Sequence, residues 1–222
     1  MAAARKAFLR DGYGQTSMSS IAADVGGSKT TLWNYFPSKE DLFAAVVDDQ
    51  VERDLATLRQ YGLKLLWTVE THAHADHCGG NRYLQETTGC EIYASPIEAA
   101  FMENPILIPY GLFSASPVQA LKNKYLMPEA SRVDFRIEGT ELFVDDVCFS
   151  ILPLPGHSLG HTGIITPDEV LFSGDSLTSI DILKGFPFLY LADVEKHLDT
   201  LNKLKVLNIE QVFFFKEFFR EN

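Results

Sequence analysis

The chain has 222 residues, of which 46% are hydrophobic, so it can bury a substantial core as one large domain or two smaller ones. No apolar run reaches the roughly 18 residues of a membrane span, and no long apolar segment follows the first residues. The three cysteines are too few and too irregularly spaced for a disulfide framework or a zinc ribbon. These features argue against a membrane or secreted protein and predict a cytoplasmic one.

The net charge of −11 is divided unevenly along the chain. Residues 1–39 carry a net charge of +3, whereas the remainder carries −14. Asymmetry of this kind indicates an N-terminal segment that faces nucleic acid, joined to an acidic body.

The first 60 residues have the pattern of four helices. The first is predicted over 3–10 and is expected to end at Gly12, because glycine favours the left-handed conformation that stops a helix. The next three are predicted to begin at the capping residues Thr16 or Ser17, Ser28 and Ser38. The third helix is short and ends before Pro37, and the fourth is long.

A helix, a tight turn and a short helix carrying Ser, Lys, Thr and aromatic residues form a helix-turn-helix pattern. The stretch AFLRDGYGQTSMSSIAADVGGSKTTLWNYFPSKEDLFAAVV resembles the DNA-binding head of the TetR family of transcriptional regulators. The resemblance covers about residues 3–55, and it departs at Gly27, where that family places an apolar residue. It implies DNA contacts from Ser28, Lys29, Thr30, Thr31, Trp33, Asn34 and Tyr35 on the recognition helix, and from Lys39 to a backbone phosphate.

That family reads paired half-sites as a dimer, through a large helical domain that follows the head. The sequence after residue 60 has no such helical pattern. Few phosphate contacts give binding so weak that moderate salt abolishes it. We therefore expect at most weak binding of duplex DNA.

From residue 63 the pattern changes to short strands alternating with helices, which is typical of an α/β sandwich. Helices are predicted over 80–88, 96–103 and 194–204, and residues 104–131 are expected to form an irregular, proline-rich loop. Strands are predicted over 63–69, 91–94, 133–137, 141–144, 147–152, 163–166, 170–173 and 209–215.

Five of the six histidines fall in two short clusters, at 72–77 and 157–161, and Asp175 follows in a Ser-Gly-Asp-Ser motif. Imidazoles and carboxylates at such spacing are the ligands of hydrolytic metal sites. His161 is expected to support the site or pack in the core, His197 to face solvent on a polar helix, and Cys78 to be a small packed residue.

The three motifs THAHADHCGGN, LPLPGHSLGHTG and LFSGDSL together resemble the metallo-β-lactamase superfamily, its glyoxalase-II-like hydrolases most closely. The resemblance covers about residues 63–212 and implies a partial αββα sandwich. It implies one ion at His72, His74 and His157, a second at Asp76 and His77, and Asp175 bridging both. The ions would be one or two zinc ions, with iron or manganese as alternatives. A metal-bound hydroxide, oriented by the catalytic Asp76, would attack a thioester or ester-like carbonyl of a small molecule.

The family pattern is incomplete in this sequence. The domain organisation is expected to be a helix-turn-helix segment over 1–59 and a metallo-β-lactamase-like domain over 60–222, which lacks the family's first strands and its last metal-binding histidine. Three functions remain open on these grounds. The first is a metal-dependent hydrolase, the second a TetR-like DNA-binding regulator, and the third a non-functional fusion of two family fragments.

Overall fold

The computed structural model describes residues 1–119, 127–185 and 190–213. The chain divides into two compact units, one spanning Met1–Leu65 and the other beginning at Leu66. Over the described ranges, every helix is too short or too polar to cross a bilayer.

The first unit consists of four helices. They are α1 (Ala2–Gln15), α2 (Met18–Asp24), α3 (Lys29–Tyr35) and α4 (Lys39–Gln60). The hydroxyl oxygens of Ser17, Ser28 and Ser38 accept hydrogen bonds from the backbone N–H three residues further on. The predicted N-terminal caps of α2, α3 and α4 are therefore confirmed.

The prediction that the first helix ends at Gly12 is wrong, because α1 continues to Gln15. A glycine inside a helix costs only about 1 kcal/mol relative to alanine, which packing of the helix can offset. Here one face of α1 packs into the core of this unit. That core consists of Ala4, Ala7, Phe8, Met18, Ile21, Leu42 and Val46.

The second unit contains two sheets and six helices in its described part. The strands are β1 (Trp67–Val69), β2 (Glu91–Ala94), β3 (Phe135–Arg136), β4 (Glu141–Val144), β5 (Val147–Pro153), β6 (Thr162–Ile165), β7 (Val170–Phe172) and β8 (Gln211–Phe213). The helices are α5 (Ala75–Cys78), α6 (Asn81–Thr88), α7 (Pro96–Glu103), α8 (Leu107–Phe113), α9 (Ile180–Gly185) and α10 (Val194–Leu204).

The strands β1, β2 and β3 form a parallel sheet in that order. The other five pair in sequence order as a second sheet, antiparallel except for the parallel pair β7 and β8. Most predicted strands are present with shifted ends. The last predicted strand is observed as β8, and its residues 214 and 215 lie outside the described residues.

Strand β2 explains how the layers are arranged. Alternate residues of a strand point to opposite faces. Tyr93 packs with side chains of the five-stranded sheet, whereas Ile92 and Ala94 pack with side chains of α7. The three-stranded sheet therefore lies between the second sheet and a helical layer, and the α/β sandwich predicted from the sequence is confirmed.

The segment 104–131 is not wholly irregular as predicted, because it contains α8. Pro109 is the third residue of that helix, and the first four N–H groups of a helix have no partner within it. The proline therefore costs α8 no internal hydrogen bond, although in the sequence it resembles a helix breaker. Residues 120–126 lie outside the described part of this segment.

Candidate metal centre

The sequence motifs lie at the ends of strands, where backbone from several strands converges. His72 and His74 follow β1 and lead into the short helix α5. His157 lies in the turn between β5 and β6, and Asp175 in a 3-10 turn directly after β7. Loops at strand ends can bring together side chains that are far apart in sequence, as metal sites require.

Among the described residues, two groups of side chains offer ligand atoms within 4.8 Å of one another. The first group is His72, His74 and His157. The second is His72, His77 and Asp175. His72 belongs to both groups.

His72 is fully buried at the centre of the other imidazoles. Its ring centroid lies between 4.0 and 4.9 Å from those of His74, His77, His157 and His161. Its Nδ1 is 3.1 Å from the hydroxyl of Thr71. Its Nε2 is buried and has no hydrogen-bond partner among the described residues. A buried polar atom without a partner is costly unless a ligand such as a metal ion satisfies it.

The backbone fixes the tautomer of His157. Its Nδ1 lies 3.0 Å from the carbonyl oxygen of Tyr190, which can only accept, so Nδ1 carries the proton. The Nε2 atom is then unprotonated in the neutral ring, and it lies 2.9 Å from Nδ1 of His74. Hydrogen bonding of one ring nitrogen to a carbonyl is the usual way in which a metal-binding histidine is oriented.

The spacing of the nitrogen and oxygen atoms also suits an ion. Ligand atoms about 2.0–2.1 Å from a tetrahedral ion are roughly 3.3 Å apart. The Nε2 atoms of His77 and His157 lie 3.4 and 3.6 Å from the two carboxylate oxygens of Asp175. The residues present therefore fit a divalent metal ion.

Burial keeps the imidazoles in the form that binds metal. Burial, with a smaller contribution from neighbouring imidazoles, lowers the pKa of His74 to about 4 and that of His161 to about 3. The pKa of the fully buried His72 is also well below its ordinary value, chiefly because of burial. Neutral imidazole is the ligand form of histidine, so no proton has to be displaced at neutral pH.

Asp76 lies differently from the other predicted ligands. It is exposed and belongs to neither group of close ligand atoms among the described residues. Its negative charge nevertheless raises the pKa of His74 and His157 against the effect of burial. His77, its predicted partner, groups instead with His72 and Asp175.

The structure places the three supporting residues as follows. His161 is buried and stacks on His72, and Cys78 is buried with its thiol directed to the Ala73 carbonyl, both as expected. The prediction that His197 faces solvent is wrong, because only 7% of it is exposed. It lies against Gly156, where even a Cβ atom would come within 2.4 Å of the His197 Cα. The polar sequence of α10 gave no signal of this contact, which is made by the backbone and Cβ of His197.

A carboxylate beside the site was not predicted from the sequence. Glu98, on α7, is only 3% exposed and lies between the two histidine motifs. Burial raises the pKa of its carboxyl group, while hydrogen bonds from Ser158, Ala73 and Gly160 lower it. The only sequence signal is Ser95 three residues earlier, a capping-box spacing that would have assigned Glu98 to the end of its own helix.

A second buried carboxylate, Glu70, directly precedes the first motif. Burial raises its pKa to about 7. Its place at the end of a predicted strand gave no signal of burial.

The predicted recognition helix, α3, has no buried residue. The side chains predicted to contact DNA from Ser28 to Tyr35 are all exposed. Leu32, which was not among them, is half-buried and packs on the core. The Lys29 ammonium lies 5.9 Å from the centre of the Trp33 ring. The Lys39 ammonium donates to the carbonyl oxygen of Thr16, 3.2 Å away.

The histidine motifs lie in a region of the chain that matches a known protein family. Residues 38–215 match the family model described as the metallo-beta-lactamase superfamily. The chain belongs to the metallo-beta-lactamase superfamily. Residues 1–46 match a second family model, described as bacterial regulatory proteins of the tetR family, so the two matches overlap at the start of α4.

Curated relatives of this superfamily member are named as hydroxyacylglutathione hydrolases. The protein from Haemophilus influenzae, named hydroxyacylglutathione hydrolase GloC, is 34% identical over 60% of this chain and 61% of its own length. Those from Rhodospirillum rubrum and Vibrio cholerae serotype O1 are 26% and 30% identical over 77% and 82% of this chain. The chain spans 55% and 60% of the length of these two relatives.

Solved structures of the superfamily share the fold. The protein TTHA1623 in a di-iron-bound form is 26% identical, with a TM-score of 0.53 over 73% of this chain and 75% of that one. The metallo-beta-lactamase family protein TTHA1429 from Thermus thermophilus has a TM-score of 0.55 and 21% identity, over 72% of this chain and 58% of that one. The latter likeness concerns the fold alone.

Proposed function

We propose that this protein is a metal-dependent hydrolase that cleaves the thioester of a small molecule of the hydroxyacylglutathione class. The observation that carries the proposal is the Nε2 atom of His72. This atom is buried and has no hydrogen-bond partner among the described residues. Its side chain belongs to both groups of ligand atoms. The names of the relatives support the choice of a thioester.

Each predicted ligand has a role in the proposal. His72, His74 and His157 hold the first ion, which is zinc, with iron or manganese as alternatives. Asp76 and His77 would hold the second, and Asp175 would contribute an oxygen to both. When bound, such an ion acts as a Lewis acid that polarises a carbonyl and makes water acidic enough to attack at neutral pH. Asp76, exposed beside these imidazoles, orients the attacking water and accepts its proton.

A cavity of about 170 Å³ lies beside His74 and can take part of the substrate. Its apolar walls include Phe101, Ile108 and Leu112. Sites for whole ligands are usually about 300–1,000 Å³, so this cavity accommodates only a small group. The acyl part of the thioester is the part that has to lie beside the ligand cluster, and we assign it to this cavity.

The proposal is tested by measuring first the metal content of the protein and then its rate of hydrolysis. Elemental analysis of the purified full chain is expected to give about one tightly held zinc or iron per chain, and His72→Ala is expected to abolish it. Arg82→Ala is the control, because this exposed residue pairs with Glu86 on the same helix and belongs to neither ligand group. Hydrolysis of a hydroxyacylglutathione should require the metal. Wild-type protein without stoichiometric metal, or without metal-dependent turnover on any thioester or activated ester, would favour the non-functional fusion instead.

The match of residues 1–46 and the exposure of α3 support a second function, weak binding of duplex DNA. Fluorescence anisotropy with a labelled duplex should show weak binding with little sequence preference that disappears at moderate salt. The double variant Lys29→Ala and Tyr35→Ala should reduce it, whereas Lys64→Ala, which lies outside the four helices, should not. A salt-resistant nanomolar complex on a palindrome would instead indicate a dimeric regulator.

A further inference from the structure

The carboxylate of Glu98 connects the two histidine motifs. One oxygen accepts a hydrogen bond from the backbone N–H of Ala73 at 2.8 Å. The other accepts from the hydroxyl of Ser158 at 2.7 Å and from the backbone N–H of Gly160 at 2.8 Å. Ala73 lies between His72 and His74, and Ser158 follows His157 directly. One side chain is therefore bonded to both of the loops that supply the first ligand group.

The start of helix α7 strengthens this connection. The hydroxyl of Ser95 donates to the carbonyl oxygen of Gly160 at 2.7 Å. A Cβ atom on Gly160 would lie 2.7 Å from that hydroxyl and 2.8 Å from the Cβ of Ile97. The loop that carries His157 and Gly160 therefore lies so close to α7 that a side chain at position 160 would clash. Its position is set by the contacts with Ser95 and Glu98.

The three hydrogen bonds to Glu98 require an acceptor on both carboxylate oxygens. Each comes from a neutral donor, and bonds to an ionised acceptor are about twice as strong as neutral ones. Glutamine has the same shape but only one acceptor oxygen. In either orientation its NH2 group would face a donor, either Ala73 or the pair Ser158 and Gly160, and a buried donor would lose its partner.

We propose that Glu98 is a positioning residue that holds the His72–His74 loop and the His157 loop at the separation that a metal ion requires. The inference rests on the proposed function in one respect, that the first ligand group binds an ion. Glu98 itself does not touch the ion. It acts through backbone atoms next to the ligands, and its loss should weaken metal binding because the ligand loops are then held less closely.

The test compares zinc affinity and the cobalt spectrum in the full chain. Zinc dissociation constants are measured by competition with a chromophoric chelator, and cobalt absorption bands report the geometry of the ligands. Loss of residues that orient ligands typically costs 10–100-fold in metal affinity, so Glu98→Gln should raise the dissociation constant about tenfold or more and alter the cobalt bands. Glu103→Gln is the matched control, since this residue of the same helix pairs with Arg136 at the surface. Its affinity should stay within about twofold of wild type.

A second variant covers the case in which Glu98→Gln fails to fold. Ser158→Ala removes one of the three hydrogen bonds and should weaken zinc binding by a smaller factor. In a protein that already carries Glu98→Gln, the same change should cost little, because the two act through one contact. If both single variants bind zinc with wild-type affinity and spectrum, the inference is wrong and Glu98 only stabilises the fold. If wild-type protein itself binds no metal, the proposed function fails instead.

Discussion

Asp76 differs from the other predicted ligands, which are buried or half-buried, in that it is exposed, yet its charge acts on His74 and His157. Asp76→Asn keeps the size of the side chain but removes its ability to accept a proton. We expect kcat to fall on the order of 100-fold or more, in the range usual for general base catalysis, with the tightly bound metal retained. Elemental analysis and steady-state kinetics of the same sample check this. Loss of metal in proportion to activity would show that Asp76 holds the first ion.

The buried imidazoles predict how the metal-free protein responds to acid. Burial lowers the pKa of His161 to about 3 in the folded chain, whereas the unfolded value is 6.5. The unfolded state therefore binds more protons below pH 6.5, and stability is lost as pH falls from about 6.5 towards 3. His161 should contribute about 2 kcal/mol to this loss between pH 7 and pH 5.

Denaturant unfolding with chelator present, at pH 7 and pH 5, measures the effect. The variant His161→Gln should lose about 2 kcal/mol less than wild type over this interval. Equal losses in the two proteins would mean that His161 is protonated in the folded chain, in contradiction to its burial.

At the scale of elements, the turn after β7 depends on a glycine. Gly174 has a φ angle of +50°, and a Cβ atom there would lie 2.6 Å from the Thr71 hydroxyl and 2.8 Å from Nε2 of His161. Gly139 provides a matched control, because its φ angle is +86° but no atom lies within 4 Å of the added Cβ. Gly139→Ala tests backbone strain alone, and Gly174→Ala tests strain together with a clash.

We expect Gly139→Ala to cost about 1–2 kcal/mol of unfolding free energy, the usual penalty of a left-handed alanine. Gly174→Ala should cost about 1–3 kcal/mol more and also weaken zinc binding, because Asp175 follows it. Denaturant unfolding and chelator competition measure the two effects. Equal costs for the two variants would show that the turn relaxes around the new methyl group.

The elements that the sequence predicts well are those with a local signal. The caps at Ser17, Ser28 and Ser38 and the helix at Val194–Leu204 are confirmed because hydrogen bonding and spacing within a few residues determine them. Helix α8 was missed because of Pro109. A proline breaks a helix in its interior but is tolerated in the first turn, so its effect depends on where the helix starts. Where a helix starts is set here by packing and not by a capping side chain.

The same distinction applies to the candidate site. The motifs pointed to the histidines because their spacing is itself the signal, and the structure brings His72, His74 and His157 together. Glu98 carries no motif, and its partners Ala73 and Ser158 become neighbours only after folding. The buried side of His197 was hidden in the same way, since its contact with Gly156 is formed between distant segments.

At the scale of the whole molecule, the two ligand groups lie in the second unit. A ligand stabilises the structure that binds it, by about 2.7 kcal/mol at a free concentration 100 times the dissociation constant. The two tryptophans provide separate reporters, Trp33 in the first unit and Trp67 in the second. In the variant Trp33→Phe, the fluorescence of Trp67 should report the unfolding of the second unit. Zinc should move this transition to higher temperature, and a chelator should reverse the shift.

The companion variant Trp67→Phe leaves Trp33 as the reporter and serves as the comparison. A Trp67 signal that does not respond to zinc at any concentration would contradict metal binding by the folded second unit.

His72 is shared by both groups of ligand atoms, and its Nδ1 is already bonded to Thr71. When Nδ1 donates its proton to the Thr71 hydroxyl, Nε2 of the neutral ring has one lone pair, which can coordinate one ion. In that case we expect the two groups not to hold ions through His72 at the same time, so that a second ion would need another ligand such as Asp76. A calorimetric zinc titration should accordingly show one strong binding step and a much weaker second one.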